Sequence, residues 1–503
     1  MANNSSNVSP VSDYLLTKVE LKTHTGQVLD LRFCYSDISI TESIFSPVVY
    51  GTIVLSETFN FPTYGPILGG EVLDLEIKNI GNFKYSQNPV EDSNQLIKHT
   101  FTVYDVEFKR VLKNRFQMYI LKFCSKDVIW NQQIRICTTL FNQSYSEMAL
   151  NIFSIYGAEV EKLKEGKEQL NNNPNSYLRP EEDKVLVVKG RGDATLNCHF
   201  PNLHPFECLN YLSGKAQKDI IGNPYFFFES LDHNFYFMSW NDLIEKYNHS
   251  KGKTIPDNLK IQKDSSNSNK YIFINNNQAL EDKFDQPSTG YFHPEEDFFA
   301  AIVFEGTKDF DFLENVKKGV YASSLVTYDH IDKKIKKHNY SFDKMYSEIP
   351  RIYSGKNKAL NLFEKESGKD IKRSVFMSPE YQETYIKTSS IHSSLFVNGQ
   401  NDFTPEKTRN YRLMKLQEFN NNIFTANITG NLSFLSGRFT DVYLNSPDTT
   451  TGIKLKADPH FAGTYFNLRV RHSFGPEGHC ITVVELAKDS FMKETKQILE
   501  KSS

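Results

Sequence analysis

The chain has 503 residues, of which 39% are hydrophobic, 13% aromatic and 24% charged, with a formal net charge of -3. That length exceeds what one hydrophobic core organises and predicts several domains, while the near-neutral balance excludes a global basic surface for gripping nucleic acid through its phosphates. Phe (39) and Tyr (26) far outnumber Met (8), which favours strands over helical bundles.

The start, Met1 to Val8, carries neither a basic nor an apolar signal region, and no later apolar run approaches a membrane span, so no stable membrane insertion is expected. The six cysteines, Cys34, Cys124, Cys137, Cys198, Cys208 and Cys480, are scattered and read as free, mostly buried thiols. From Tyr14 to Asp127 the apolar residues alternate. Val19, Leu21, Val28, Leu29, Leu31 and Phe33 flank a turn at Thr25-Gly26, and Val48 to Leu55, Gly70 to Ile77, Phe101 to Phe108 and Phe116 to Cys124 are further strands. Residues 1–127 therefore predict an antiparallel barrel-like domain.

The pattern changes over 128–270, which predicts an α+β domain. Met148, Leu150, Ile152 and Phe153 have helical spacing up to Gly157, and Pro205 opens a second helix with Phe206, Leu209 and Leu212 on one side. Tyr225 to Glu229 and Phe235 to Met238 flank Ser230 to Asn234 as a hairpin. Glu159 to Asp183 reads as a loop, and Tyr247 to Lys270 as a polar linker. Strand patterning is expected again over 271–340, an insertion over 341–410, a helix over Tyr411 to Asn420 with Leu413, Leu416 and Phe419 on one face, and alternating strands over 411–490 around turns at Gly430, Gly437, Gly463 and Gly475 to Gly478. A charged C-terminal tail, 491–503, follows.

The two strand-rich regions resemble each other. Gly70-x-Val-x-Asp-Leu-x-Ile matches Gly437-x-Phe-x-Asp-Val-x-Leu position for position, so Gly70 and Gly437, and Asp74 and Asp441, are the expected structural repeat positions. Val103, Asp105, Val106 and Phe108 fall on Tyr465, Asn467, Leu468 and Val470, and Lys126-Asp127 on Lys488-Asp489. Val49 to Leu55 is matched to Val320 to Val326. The fold class expected is α+β, mainly β: two antiparallel β-barrels, the second split by an insertion, plus the α+β middle domain.

Ile40-Thr41-Glu42-Ser43-Ile44-Phe45-Ser46-Pro47 with Gly69-Gly70-Glu71, then Pro205-Phe206-Glu207-Cys208-Leu209 with Tyr225 to Glu229 and Phe237-Met238-Ser239, and finally Asp458, Gly463, Tyr465 and His472-Ser473-Phe474 are similar to successive parts of the baseplate hub proteins of contractile-tailed bacteriophages. The resemblance implies a virion protein of the tail baseplate, assembled in the host cytoplasm. It implies a homotrimer joining the sixfold tail tube to a threefold central spike, contacts with the tail-tube protein and other baseplate subunits, and DNA only as cargo through the lumen. Met492 to Glu500 reads as a short charged helix with no room for a spike, so the spike is expected to be a separate partner. Strand edges near Gly51 and Ala322 are expected to meet neighbouring chains.

The competing function is a tail-associated cell-wall hydrolase, which needs two carboxylates across a cleft, with Glu229 and Asp232 as candidates. No nucleophile elbow, phosphate-cradling loop or paired metal motif supports it, and no enzymatic activity and no cofactor are expected. Cys198, His199, His204 and Cys208 have metal-like spacing, but Pro201 and Pro205 impose a loop entering a helix, which accounts for them without a metal. Arg191-Gly192-Asp193 reads as a turn.

Overall fold

The computed structural model describes residues 14–59, 61, 65, 67–79, 96–112, 116–154, 159–163, 168–169, 184–189, 196–216, 223–250, 270–274, 301–308, 311–329, 333–353, 387–390, 405–444, 461–476 and 478–491. The expectations placed on Gly157, on Arg191-Gly192-Asp193, on Asp458, on Met492 to Glu500 and on most of the 341–410 insertion lie outside these residues.

A 13-stranded sheet dominates, in two halves. Moving outward from the middle, the first half runs through Tyr35–Ser43, Tyr50–Glu57, Phe116–Ser125, Leu96–Leu112, Val72–Asn79, Tyr14–Lys22 and Val28–Asp30, every neighbour antiparallel. Alternation makes these strands. In Val72–Asn79 the side chains of Leu73, Leu75 and Ile77 point to one face and are buried, while Asp74 and Glu76 point to the other. Val19, Leu21, Ile38, Ile40, Ile53, Leu55, Phe101, Tyr119, Leu121 and Phe123 complete that core, each burial worth about 1.5–3 kcal/mol.

The second half runs through Ala301–Lys308, Ile423–Thr429, Cys480–Ala487, Gly463–Phe474, Phe439–Leu444 and Lys270–Ile274. Its order repeats that of Tyr35–Ser43, Tyr50–Glu57, Phe116–Ser125, Leu96–Leu112, Val72–Asn79 and Tyr14–Lys22. One pairing differs: Lys270–Ile274 lies parallel to Phe439–Leu444, whereas Tyr14–Lys22 lies antiparallel to Val72–Asn79. The long strand Gly463–Phe474 ties the halves together. Its first residues pair with Phe439–Leu444, and Arg469 to Phe474 pair with Ser43 to Ile38 of the first half.

The middle unit holds a five-stranded mixed sheet ending in the hairpin Tyr225–Ser230 and Asn234–Ser239, with the helices Tyr145–Ser154 and Pro205–Lys215 packed against it. Both helices and the hairpin follow the sequence expectation. The helices Asp127–Gln133 and Trp240–Ser250 do not: the second occupies the start of the expected linker, and Trp240, Leu243 and Ile244 bury its apolar face. The short strands Glu159–Leu163 and Glu168–Gln169 stand within the expected loop.

Three further expectations are corrected. Ala322–Asp329 is not the counterpart of Val49 to Leu55; it lies with Lys334–Ser341 and Lys387–Ser390 in a separate three-stranded sheet, so 271–340 is not all part of the large sheet. The position equivalent to Tyr50–Glu57 belongs to Ile423–Thr429, next to the strand Cys480–Ala487. Gly51 does not mark an edge, since it pairs with Ile40 on one side and Phe123 on the other, and Ala322 lies opposite Ser341 in a strand whose other side is covered from Leu325 to Tyr328; the large sheet ends at Val28–Asp30, Ala301–Lys308 and Lys270–Ile274. The helix expected from Tyr411 begins at Pro405, inside the expected insertion, and buries Tyr411, Met414, Lys415, Glu418 and Phe419, with Leu413 and Leu416 only half-buried.

Candidate functional site

Gly70 and Gly437 both adopt positive φ, 89° and 70°, a conformation that favours glycine. Each turn closes with the same pair of backbone hydrogen bonds. Gly70 N–H donates to Val103 O (2.7 Å) and Val103 N–H to Glu71 O (2.9 Å), while Gly437 N–H donates to Asn467 O (3.0 Å) and Asn467 N–H to Arg438 O (2.9 Å). On the strands that follow, the Asp74 carboxylate accepts from Thr100 Oγ1 (2.9 Å) and the Asp441 carboxylate from Thr464 Oγ1 (2.5 Å). A bulge interrupts both hairpins at like places, between Val103 and Asp105 and between Asn467 and Arg469. These bonds pair Val103 with Asn467, not with Tyr465 as the sequence alignment had it.

Side-chain surroundings of the two turns differ. Glu71 folds back on its own loop, accepting from Leu68 N–H (2.6 Å) and Gly69 N–H (3.0 Å). Arg438, one residue past Gly437, instead reaches the middle unit, donating to Asp232 Oδ2 (2.7 Å) and Tyr236 Oη (2.9 Å). Burial opposes its charge, but Tyr236 and Asp232 outweigh burial and hold the guanidinium protonated more firmly than usual.

The joint between the units is built from buried charge. After the last strand of the first half, Asp127 receives Lys184 Nζ (2.5 Å), which also contacts Glu229 (2.6 Å), and all three are buried. Glu229 accepts further from Ser125 Oγ (2.5 Å) and Val49 N–H (2.8 Å). Burial would lower the Lys184 pKa, but Glu229 and Asp127 raise it above its ordinary value. After the last strand of the second half, Asp489 receives Lys415 Nζ (2.6 Å), and Glu418 lies 3.4 Å from that ammonium and also pairs with Arg351. Here burial lowers the Lys415 pKa, with Asp489 and Glu418 only partly restoring it. Each half thus ends in an aspartate neutralised by a buried lysine from another element.

Glu42, on the strand that bridges the halves, is also fully buried. It accepts from Ser230 Oγ (2.9 Å) and Leu231 N–H (2.7 Å) at the turn of the middle hairpin, and from Ser436 N–H just before Gly437. Across that turn, His99 Nε2 lies 2.9 Å from Leu231 O, which only accepts, so the ring donates there; His233 stacks on His99 with centroids 3.8 Å apart. The side chain of Leu231 packs into the core of the first half. Sequence reasoning reads this turn as the tip of a hairpin and singles out Asp232 in it, but not its contact with Glu42.

Glu229 and Asp232, the carboxylates a hydrolase would use, are each committed to a basic partner, Lys184 and Arg438, and Asp232 also accepts from Tyr236 Oη (2.5 Å). Of the residues with metal-like spacing, His204 caps the Pro205–Lys215 helix, with Nδ1 near Ile134 O (2.8 Å), and Cys208 is buried in that helix. Cys198 is buried on the strand Leu196–Leu203, while His199 is exposed beside Thr139. Among the described residues no three His, Cys, Asp or Glu side chains converge. All six cysteines are free, and Cys137 is exposed.

No protein-family model and no curated protein matches the chain. Among solved structures it is similar to the 43 kDa tail protein of prophage MuSo2 from Shewanella oneidensis, at 10% identity and TM-score 0.46, over 94% of this chain and 99% of that one. It is similar also to a tail protein from Neisseria meningitidis, at 9% identity and TM-score 0.44, over 95% and 97%. A third is an Escherichia coli component of the type VI secretion system, at 8% identity and TM-score 0.37, over 94% and 76%. The structural neighbours of this chain are phage tail proteins and a secretion-system component.

Proposed function

We propose that this chain is the structural hub of a phage-type contractile tail, a homotrimer between a sixfold tail tube and a threefold central spike. Each chain contributes two tail-tube-like barrels. The first spans 1–127, and the second combines Lys270–Ile274 and Ala301–Lys308 with the strands between 411 and 490. The α+β unit of 128–270 locks between them, and the stretch that includes the small three-stranded sheet forms the insertion. Three chains then present six like units around one axis, so a sixfold tube meets a threefold spike without an abrupt mismatch. The lumen is a passage for DNA, read by no base-specific group, and the site of action is the virion baseplate.

The observation that carries this reading is the repeated order of six strands, with the glycine turns at Gly70 and Gly437 and the threonine-aspartate bonds at Asp74 and Asp441 in like positions. An open repeat of this kind suits a ring wall. The commitment of Glu229 and Asp232 to basic partners favours a structural role over hydrolysis. Cryo-electron microscopy of the purified protein, alone and with its spike and tube, tests the proposal. Three chains around a central hole are expected; one chain, or six, would overturn it.

A further inference from the structure

Three units of the fold converge on one carboxyl group. Glu42 comes from the bridging strand, Ser230 and Leu231 from the middle hairpin, and Ser436 from the turn that opens Phe439–Leu444. Every partner is a neutral donor, and among the described residues Glu42 forms no ion pair. The charged groups nearby do not compensate it. Asp232, on the same turn, repels it and is itself held by Arg438 and Tyr236. His99 and His233 face the other side of the turn, and Arg469 and Arg471 of the pairing strand Gly463–Phe474 are exposed.

A charge without a cation in a dry joint is costly, and three hydrogen bonds only partly offset that. The Glu229 carboxylate, also buried, differs by having Lys184 beside it. The neutral acid suits the Glu42 cradle better, because the Ser230 hydroxyl can turn to accept the added proton while Leu231 and Ser436 continue to donate. We infer that Glu42 is a charge-sensitive latch: neutral, it holds the turn Ser230–Asn234 between the two sheet halves, and ionised, it loosens that three-way joint. This inference does not depend on trimer formation or on the hub reading.

The direction follows from the titration. Burial raises the Glu42 pKa from 4.5 to about 7, against the pull of its hydrogen bonds. A raised carboxyl contributes stability that is fully present below the unfolded value and is lost as pH rises through the folded one, so the joint loosens between about pH 4.5 and pH 7 and then levels. His99 and His472, kept neutral by burial with pKa values lowered to about 3 and about 4, act in the opposite direction over part of that window. The measurement must therefore be a ratio that cancels them.

Hydrogen exchange of the full-length protein at the Leu231 and Ser436 amides, wild type against Glu42→Gln, supplies that ratio. Wild-type protection relative to the variant should fall about tenfold per pH unit from about pH 5 to about pH 7 and then level. The Val49 amide, which donates to the paired Glu229, should show a constant ratio. Ser230→Ala, which leaves the carboxyl in place but removes the hydroxyl that bonds it in both protonation states, should move the levelling point away from that of the wild type while keeping a pH-dependent protection at Leu231 and Ser436, and it answers the question even where the glutamine variant folds poorly. A flat ratio at Leu231 and Ser436, or an equal change at Val49, would overturn the latch.

Discussion

The two halves of the large sheet share backbone and differ in what their side chains address. At the first glycine turn, Glu71 satisfies the backbone of its own loop, and a methyl group on Gly70 would meet only the His24 ring at 3.4 Å. At the second, Arg438 ties to the middle unit, and a methyl group on Gly437 would run into the Phe228 ring. Asp74 is held by Lys18, Lys22 and Thr100 near solvent, whereas Asp441 is buried. The lesson is that strand order and turn geometry tolerate reassignment of a surface: one half closes on itself while the other half docks a neighbour through the same positions.

The feature the halves do share is the terminal aspartate with its buried lysine, and breaking it should have the largest effect. Lys184→Met leaves Asp127 and Glu229 buried without a cation and should cost about 3–5 kcal/mol or abolish folding. Lys415→Met, which strands Asp489 and leaves Glu418 with Arg351 as its cation, should behave alike. Urea titration of both variants measures this; a loss in one half only would show that the two lysines are not doing the same job.

Next in size is the contrast between the turns. Gly437→Ala should cost about 2–4 kcal/mol, combining positive φ with overpacking against Phe228. Gly70→Ala, with positive φ alone, should cost about 1–2 kcal/mol. Equal midpoint shifts by thermal unfolding would erase the distinction between a free turn and a docked one.

What was legible in the sequence were residues that local geometry demands: Gly70 and Gly437 at positive φ, and Asp74 and Asp441, each facing a threonine on the next strand. The strands themselves were legible from alternation. Alternation also makes Val320 to Val326 read as a barrel strand, since apolar periodicity names a strand and not its sheet. The hairpin alignment slips by two residues, Val103 onto Tyr465 instead of Asn467, because side chains alternate with period two and a shift of two leaves the apolar pattern unchanged. The buried roles of Glu42, Lys184 and Lys415 were not legible for another reason. A charged residue in an amphipathic element is assigned to solvent by default, and their partners come from distant parts of the chain.

Acid should separate the aspartates. Burial raises the Asp74 pKa, but Lys22, Lys18 and Thr100 outweigh it and lower it from 3.8 to about 2. Its contribution is present above the unfolded value and is lost as pH falls through the folded one, so Asp74→Asn should remove about 1 kcal/mol of stability at neutral pH and flatten the acid limb between about pH 4 and pH 2. Unfolding midpoints across that range are the check. The smallest effect belongs to the exposed pair Arg469 and Glu485, 3.0 Å apart on neighbouring strands of the second half. Removing Arg469 should leave the midpoint unchanged within measurement, as expected of a surface pair set beside the buried charges of Lys184 and Lys415.

The pairing of Ser43 to Ile38 with Arg469 to Phe474 joins residues about 430 positions apart. On a ribosome making roughly 5–20 residues per second, the first half can finish all its other pairings while this strand waits from roughly 20 seconds to more than a minute for its partner. Throughout that interval the nascent protein carries an open strand edge beside the buried Ile38 and Ile40 positions, able to accept any extended segment, including one from a neighbouring nascent copy. The order of synthesis therefore makes this seam the point at which chaperone shielding matters most, and slower translation of the C-terminal strands should raise aggregation before it changes the stability of the finished molecule.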